Sequence, residues 1–225
     1  AGGNKVKKTD DGLIASVEED RRKESKESLR GVREHITRKK AEKAGGGRMV
    51  PLPLPDRKER EKVWVGPNFS ARRIFVLGES WYGEYSDDLV TDDGYIRAYL
   101  DGRVPDRMYT RIAKACEMEK RQFWEAVMFT NFVQCVGQTR KTRPTRKHYE
   151  AAKARLEKLL EEHKAAGVWI IGIEQSKYSA PIVERAGIPY EVSPHTASFG
   201  LTNAKLGEGW RTLITKVAAI DRAIH

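Results

Sequence analysis

The sequence predicts an α/β fold: a three-layer α/β/α sandwich around a central, mostly parallel, four-stranded sheet. Two observations predict it. Apolar runs of strand length alternate with stretches of helical character from residue 72 onward. Three of those runs are apolar almost without a break, as strands covered on both faces are.

The elements follow in order. "RRIFVLG" at 72–78 is the first strand, "AVMFTNFV" at 126–133 the second, "GVWIIGI" at 167–173 the third and "IPYEVSP" at 188–194 the fourth. Helices are expected at 108–117, 147–165, 176–186 and 209–224. Ligands of such sheets sit at the carboxyl ends of the strands, which directs attention to the residues that follow each run. These are Gly78, Glu79, Ser80, Trp81 and Tyr82 after the first, and Thr130, Asn131, Gln134 and Cys135 at the second. Gly172, Glu174 and Gln175 follow the third, and Ser193, Pro194, His195, Thr196 and Ser198 the fourth.

Upstream, the composition breaks at "AEKAGGGRMVPLPLPDR", 41–57. Residues 1–48 read as a basic, charged extension, helical or disordered, whose scattered apolar positions bury too little surface to fold alone. Residues 49–71 read as a linker, stiffened by Pro51, Pro53 and Pro55 after the flexible Gly45, Gly46 and Gly47. The folded domain is expected at 72–225.

Composition narrows the function classes. Of 225 residues, 42 are Lys or Arg and 32 Asp or Glu, a formal net charge of +10 that makes an acidic polymer the natural partner. With 33% charged residues and a mean hydropathy of -0.64, the chain has no apolar run near the roughly 18 residues of a membrane span. Its first residues also lack the apolar core of a secretory signal. The expectation is a monomer without membrane association, in the cytoplasm or nucleoid of a bacterium or else in a nucleus. Cys116 and Cys135 are too few for a disulfide framework or a four-cysteine metal site, and reduced buried thiols are expected.

Order and spacing of the strand-end groups resemble the uracil-DNA glycosylase superfamily over about residues 72–222. Its first motif, G-Q-D-P-Y-H or G-E-A-P-G, is matched by "GESWYG" at 78–83. Its apolar strand ending in Asn is matched by "MFTNFVQC", similar to T-N-x-V-K-C of the iron-sulfur glycosylases. An Arg- and Pro-rich loop, a helix and an apolar strand follow in "RKTRPTRKHYEAAKARLEKLL" and "VWIIGIE". The closing H-P-S motif is matched by "PHTASFG", with His195 in the histidine position and Thr196 in place of proline. Ser80 stands where many members carry Asp, and Trp81 where proline is common. Of the four cluster cysteines only Cys135 has a match, which implies catalysis without a cofactor.

The resemblance implies excision of uracil or a related deaminated base from DNA. Breaking the N-glycosidic bond leaves negative charge on the departing base, and donors aimed at that charge supply most of the catalysis. His195 and the backbone N–H groups near Glu79 and Ser80 are the candidate donors. The Asn131 amide offers a carbonyl and an NH2 to N3–H and O4 of uracil, a pattern that cytosine reverses. Glu79 is the candidate for handling the water, with Asp87 and Asp88 in reserve. Tyr82, Tyr95 or Trp81 would stack on the flipped base, Tyr82 standing where the resemblance puts a tyrosine that excludes thymine. Phe199 and Leu201 are candidate wedges beside Ser198. Phosphates would meet Arg140, Lys141, Arg143, Arg146 and Lys147. Two alternatives stand beside this reading. One is a DNA-binding relative with lost or altered turnover; the other is an unrelated doubly wound nucleotide enzyme, for which the Gly-rich phosphate motifs are missing.

Overall fold

A computed structural model of the chain describes residues 62–80, 91–134 and 143–224, all within one compact unit. The expected extension at 1–48, most of the expected linker, and Trp81, Tyr82, Asp87, Asp88, Cys135, Arg140 and Lys141 lie outside the described residues.

The fold is α/β, with a five-stranded mixed sheet. The strands are β1 (Trp64–Val65), β2 (Ile74–Ser80), β3 (Val127–Val133), β4 (Gly167–Ile171) and β5 (Tyr190–Ser193), ordered β1-β3-β2-β4-β5. All four expected strands are present and mutually parallel. The expected count of four is corrected by β1, which pairs antiparallel with β3 through Trp64↔Phe129 and Val65↔Met128. Two residues are too short for any periodicity to announce. Tertiary anchoring holds them instead: Trp64 is buried and its indole N–H donates to the Trp124 carbonyl at 2.7 Å. Residues 62–71, assigned from sequence to the linker, therefore belong to the folded unit.

β2, β3 and β4 are buried along their whole length because helices cover both faces. Side chains alternate across the sheet. Ile74, Val76, Val127, Phe129 and Trp169 join one core, under α1 (Asp92–Leu100), α2 (Arg107–Ala115), α3 (Lys120–Ala126) and α6 (Asn203–Ile224). Phe75, Leu77, Met128, Phe132, Val168 and Ile170 join the other, under α4 (Arg146–His163) and α5 (Ile173–Arg185).

This topology fixes where a ligand fits. From β2 the chain steps to β3 on one side, then returns across β2 to β4 and on to β5. The reversal lies between β2 and β4, and crevices open outside the carboxyl ends of strands at such a switch point. Here β2 and β4 stay in register only as far as Leu77↔Ile170. Beyond that pair the Gln175 amide takes over, donating to the carbonyls of Leu77 at 3.0 Å and Ile171 at 2.9 Å.

Candidate functional site

At the carboxyl edge of the sheet, β2 contributes Glu79 and Ser80. The Glu79 side chain is 1% exposed. A carboxylate so buried needs partners on both oxygens: Tyr149 of α4 donates its hydroxyl to Oε1 at 2.8 Å, and Arg143 donates to Oε2 at 2.8 Å. Arg143 reaches in from a largely exposed position just before α4. Ser80 is buried too, and its Oγ has no partner among the described residues.

His195 lies beyond β5. Its Nδ1 accepts the backbone N–H of Ala197 at 3.2 Å, so in the neutral ring the proton sits on Nε2, which is left to donate. Burial lowers its pKa below the ordinary 6.5, with the Glu79 charge opposing and the Arg143 charge adding to the shift. His195, Glu79 and Arg143 therefore share one electrostatic neighbourhood although they come from three separate segments.

The Asn131 side chain lies over Gly78, its register partner in β2. A Cβ at Gly78 would stand 2.5 Å from Asn131 Oδ1, so the missing side chain makes the room that the amide occupies. The other end of that amide is held by Asp92, the first residue of α1, whose Oδ1 accepts from Asn131 Nδ2 at 2.9 Å. Asp92 Oδ2 accepts from Thr130 Oγ1 at 2.5 Å, Gln134 Nε2 at 2.9 Å and the Asn131 backbone N–H at 3.2 Å. β1 pairs only with Met128 and Phe129, so Asp92 caps the edge of β3 that β1 leaves open. Burial raises the Asp92 pKa above the usual carboxylate value, against lowering by Thr130, Arg155, Gln134 and Asn131. Arg155 of α4 completes the cluster by donating to Thr130 Oγ1 at 2.9 Å and the Asn131 carbonyl at 3.2 Å.

The loop after His195 turns back on itself, with Ser198 N–H donating to the His195 carbonyl at 2.8 Å. Phe199 stands at its tip fully exposed, and Ser198 is exposed beside it. Leu201 corrects the expectation of a second wedge: it is 9% exposed and packed in the core shared with α2 and α6, where it anchors the loop. Arg111 of α2 fastens both ends, donating to the carbonyls of Thr196 and Leu201 and, at 3.1 Å, to Asn203 Oδ1.

Tyr95 lies on α1. Its hydroxyl donates to Asp106 Oδ2 at 2.8 Å and its half-buried ring makes a T-shaped contact with Tyr109 at 5.4 Å, so it braces α1 against α2. Arg146 and Lys147 are exposed in the first turn of α4, next to Arg143. Gly172 (φ 142°) sits where a Cβ would press on Gln175 and approach Glu79 Cβ to 3.6 Å, so a glycine lets α5 start tight against β2.

Two open grooves, of about 390 and 530 Å³, lie elsewhere, one beside Lys62 and Arg155 and one beside Tyr190 and Lys216. Neither includes Glu79, Asn131 or His195. Among the described residues no group of three or more His, Cys, Asp or Glu could hold a metal ion, and no helix is long and apolar enough to cross a membrane.

Sequence reasoning missed Asp92, Arg111 and Tyr149. Asp92 had a local signal, since "TDDG" puts a threonine cap before two first-turn carboxylates. Arg111 had none, because its partners lie about 85–90 residues away. Comparison with protein-family models and with curated proteins finds no match.

Proposed function

We propose that this chain is a DNA glycosylase similar to the uracil-DNA glycosylase superfamily, hydrolysing the N-glycosidic bond of uracil or a related deaminated base. The reading rests on one juxtaposition. The carboxyl edge of the sheet carries an imidazole with Nε2–H to donate that feels the charge of a buried carboxylate, and on the neighbouring strand an amide over a glycine, with a basic helix start and an exposed phenylalanine in the adjoining segments. A phosphate-cradling glycine loop, which the rival nucleotide enzyme needs, has no counterpart in "GESWYGEYS".

In the proposed reaction the C1′–N1 bond breaks with its electron pair passing to the base, chiefly to O2. Water adds its oxygen to C1′, and the proton it releases passes through solvent to N1 of the departed base, so that the protein ends in the protonation state in which it began. His195 Nε2–H donates to O2 as negative charge grows there, a contribution worth about 10²–10³ in rate for one such donor. Glu79 has both oxygens engaged, by Tyr149 and Arg143, and so acts as a fixed negative charge facing the cationic sugar rather than as a free base. Asn131 reads the base edge. Phe199 enters the space left by the extruded nucleotide, while Arg143, Arg146 and Lys147 meet phosphates.

An oligonucleotide carrying one uracil, incubated with the protein and then treated with alkali, tests this directly. Scission at the uracil is expected, with His195→Ala and Asn131→Ala losing cleavage far more than DNA binding. Salt-sensitive DNA binding without scission would replace the enzyme by a DNA-binding relative. That second reading is favoured by the engaged Glu79 and by serine at position 80, which leave no free carboxylate on β2.

A further inference from the structure

We infer that Asp92 is a positioning residue that fixes which way the Asn131 amide faces, and thereby which base edge the site accepts; this rests on the glycosylase reading above. An amide has two ends of similar shape and opposite hydrogen-bonding character, and only its surroundings decide which end points where. A carboxylate can only accept, so the end of Asn131 that faces Asp92 Oδ1 at 2.9 Å must be its NH2. Rotating the amide by half a turn would set two oxygens against each other at that distance.

Asp92 is itself held as an acceptor on every side. Thr130, Gln134 and the Asn131 backbone all donate to Oδ2, and Thr130 Oγ1 receives donors from Arg155 and Gln134, so its own proton goes to Asp92. The amide carbonyl is thereby turned toward Gly78, near the carboxyl end of β2. The group presented to a base is a carbonyl together with the second NH2 hydrogen. That pattern matches a base with a ring N–H beside a carbonyl, as in uracil, and opposes one with a bare ring nitrogen beside an amino group, as in cytosine. A neutral amide at position 92 offers both a donor and an acceptor, so it would let Asn131 turn.

The test compares the full chain with Asp92→Asn and Thr130→Val on oligonucleotides carrying one uracil or one unpaired cytosine, read by alkaline scission, with thermal melts alongside. Thr130→Val removes an Asp92 partner but leaves the Asp92–Asn131 bond. The expected result is that Asp92→Asn lowers the uracil-to-cytosine excision ratio about 10²-fold, while Thr130→Val lowers the melting temperature without moving the ratio. A folded Asp92→Asn with the parent's ratio overturns the inference alone, as does a Thr130→Val ratio that falls equally. No uracil excision by the unmodified chain overturns the glycosylase reading and this inference with it. Should Asp92→Asn fail to fold, NMR of the unmodified protein decides. One set of Asn131 side-chain amide signals, with one of its two protons slow to exchange, is expected. Two interconverting sets, or two equally fast protons, overturn the inference.

Discussion

A methyl group at position 78 would strike the Asn131 amide. Built on the existing backbone, the added Cβ stands 2.5 Å from Asn131 Oδ1, 3.1 Å from Phe129 Cζ and 3.3 Å from Phe129 Cε2. Gly78 lies inside β2 without a left-handed backbone angle, so alanine can adopt its conformation and the penalty is steric. Phe129 cannot retreat, because Trp124 and Tyr109 pack edge-on against it at 5.5 and 5.3 Å between centroids. Asn131 must therefore move, and moving it strains or breaks its bond to Asp92. Overpacking a tight core costs about 1–3 kcal/mol, and a hydrogen bond to a charged group contributes about 1.5–3 kcal/mol. For Gly78→Ala a loss of about 3 kcal/mol, or about 6–12 °C in Tm, is expected. Excision of uracil should fall with it while DNA binding survives. Thermal melts, the excision assay and a binding titration on the same preparation measure all three. A variant that melts within about 2 °C of the parent and cuts uracil at the parent's rate would refute the idea that glycine is needed there to seat Asn131.

Arg111→Ala frees both ends of the loop that carries His195 and Phe199. It is expected to lower the excision rate about tenfold or more, through misplacement of His195, with a smaller effect on DNA affinity; equal losses in single-turnover rate and in binding would contradict this. Phe199→Ala removes a fully exposed ring and should change stability by less than about 0.5 kcal/mol. Its excision should fall on duplex substrate and stay near the parent's on single strands, compared at equal saturation. The His195 pKa is lowered by burial, so the unfolded chain takes up a proton at higher pH than the folded one does. Its contribution to stability is present above pH 6.5 and is lost as pH falls through the lowered folded value. Melts between about pH 5 and pH 8 should show the parent losing more stability on acidification than His195→Gln; parallel curves would mean that the ring is not held neutral.

How much was legible in the sequence depended on whether the cause was local. β2, β3 and β4 announced themselves because strands covered on both faces need continuous apolar runs, and the carboxyl-end rule then pointed to Glu79, Asn131 and His195. β1 was illegible because its two residues are held by the Trp64–Trp124 contact and by pairing with β3, neither of which leaves a periodic trace. Leu201 and Phe199 read alike as apolar loop residues, and only the α2 and α6 core decides that one is inside and the other out. The sequence predicts α5 from 176, but the helix begins at Ile173, since Gly172 turns the chain straight into it and so brings Gln175 back onto β2.

The placement of Asp92 follows from the same geometry, and its energetics argue for a role beyond holding the fold. A buried carboxyl whose pKa is raised above 3.8 stabilises the folded chain fully only at low pH, and that stability is lost as pH rises through the folded value. Burial disfavours the charged form of Asp92, and the bonds from Thr130, Gln134 and the Asn131 backbone together with the Arg155 charge oppose that shift. If Asp92 only closed the open edge of β3, a neutral acceptor would do so without the desolvation of a full charge. What a carboxylate adds is that it never donates. On the inference drawn above, that property matters for a neighbouring amide that must not turn, and Asn131 is the side-chain amide whose other end faces Gly78.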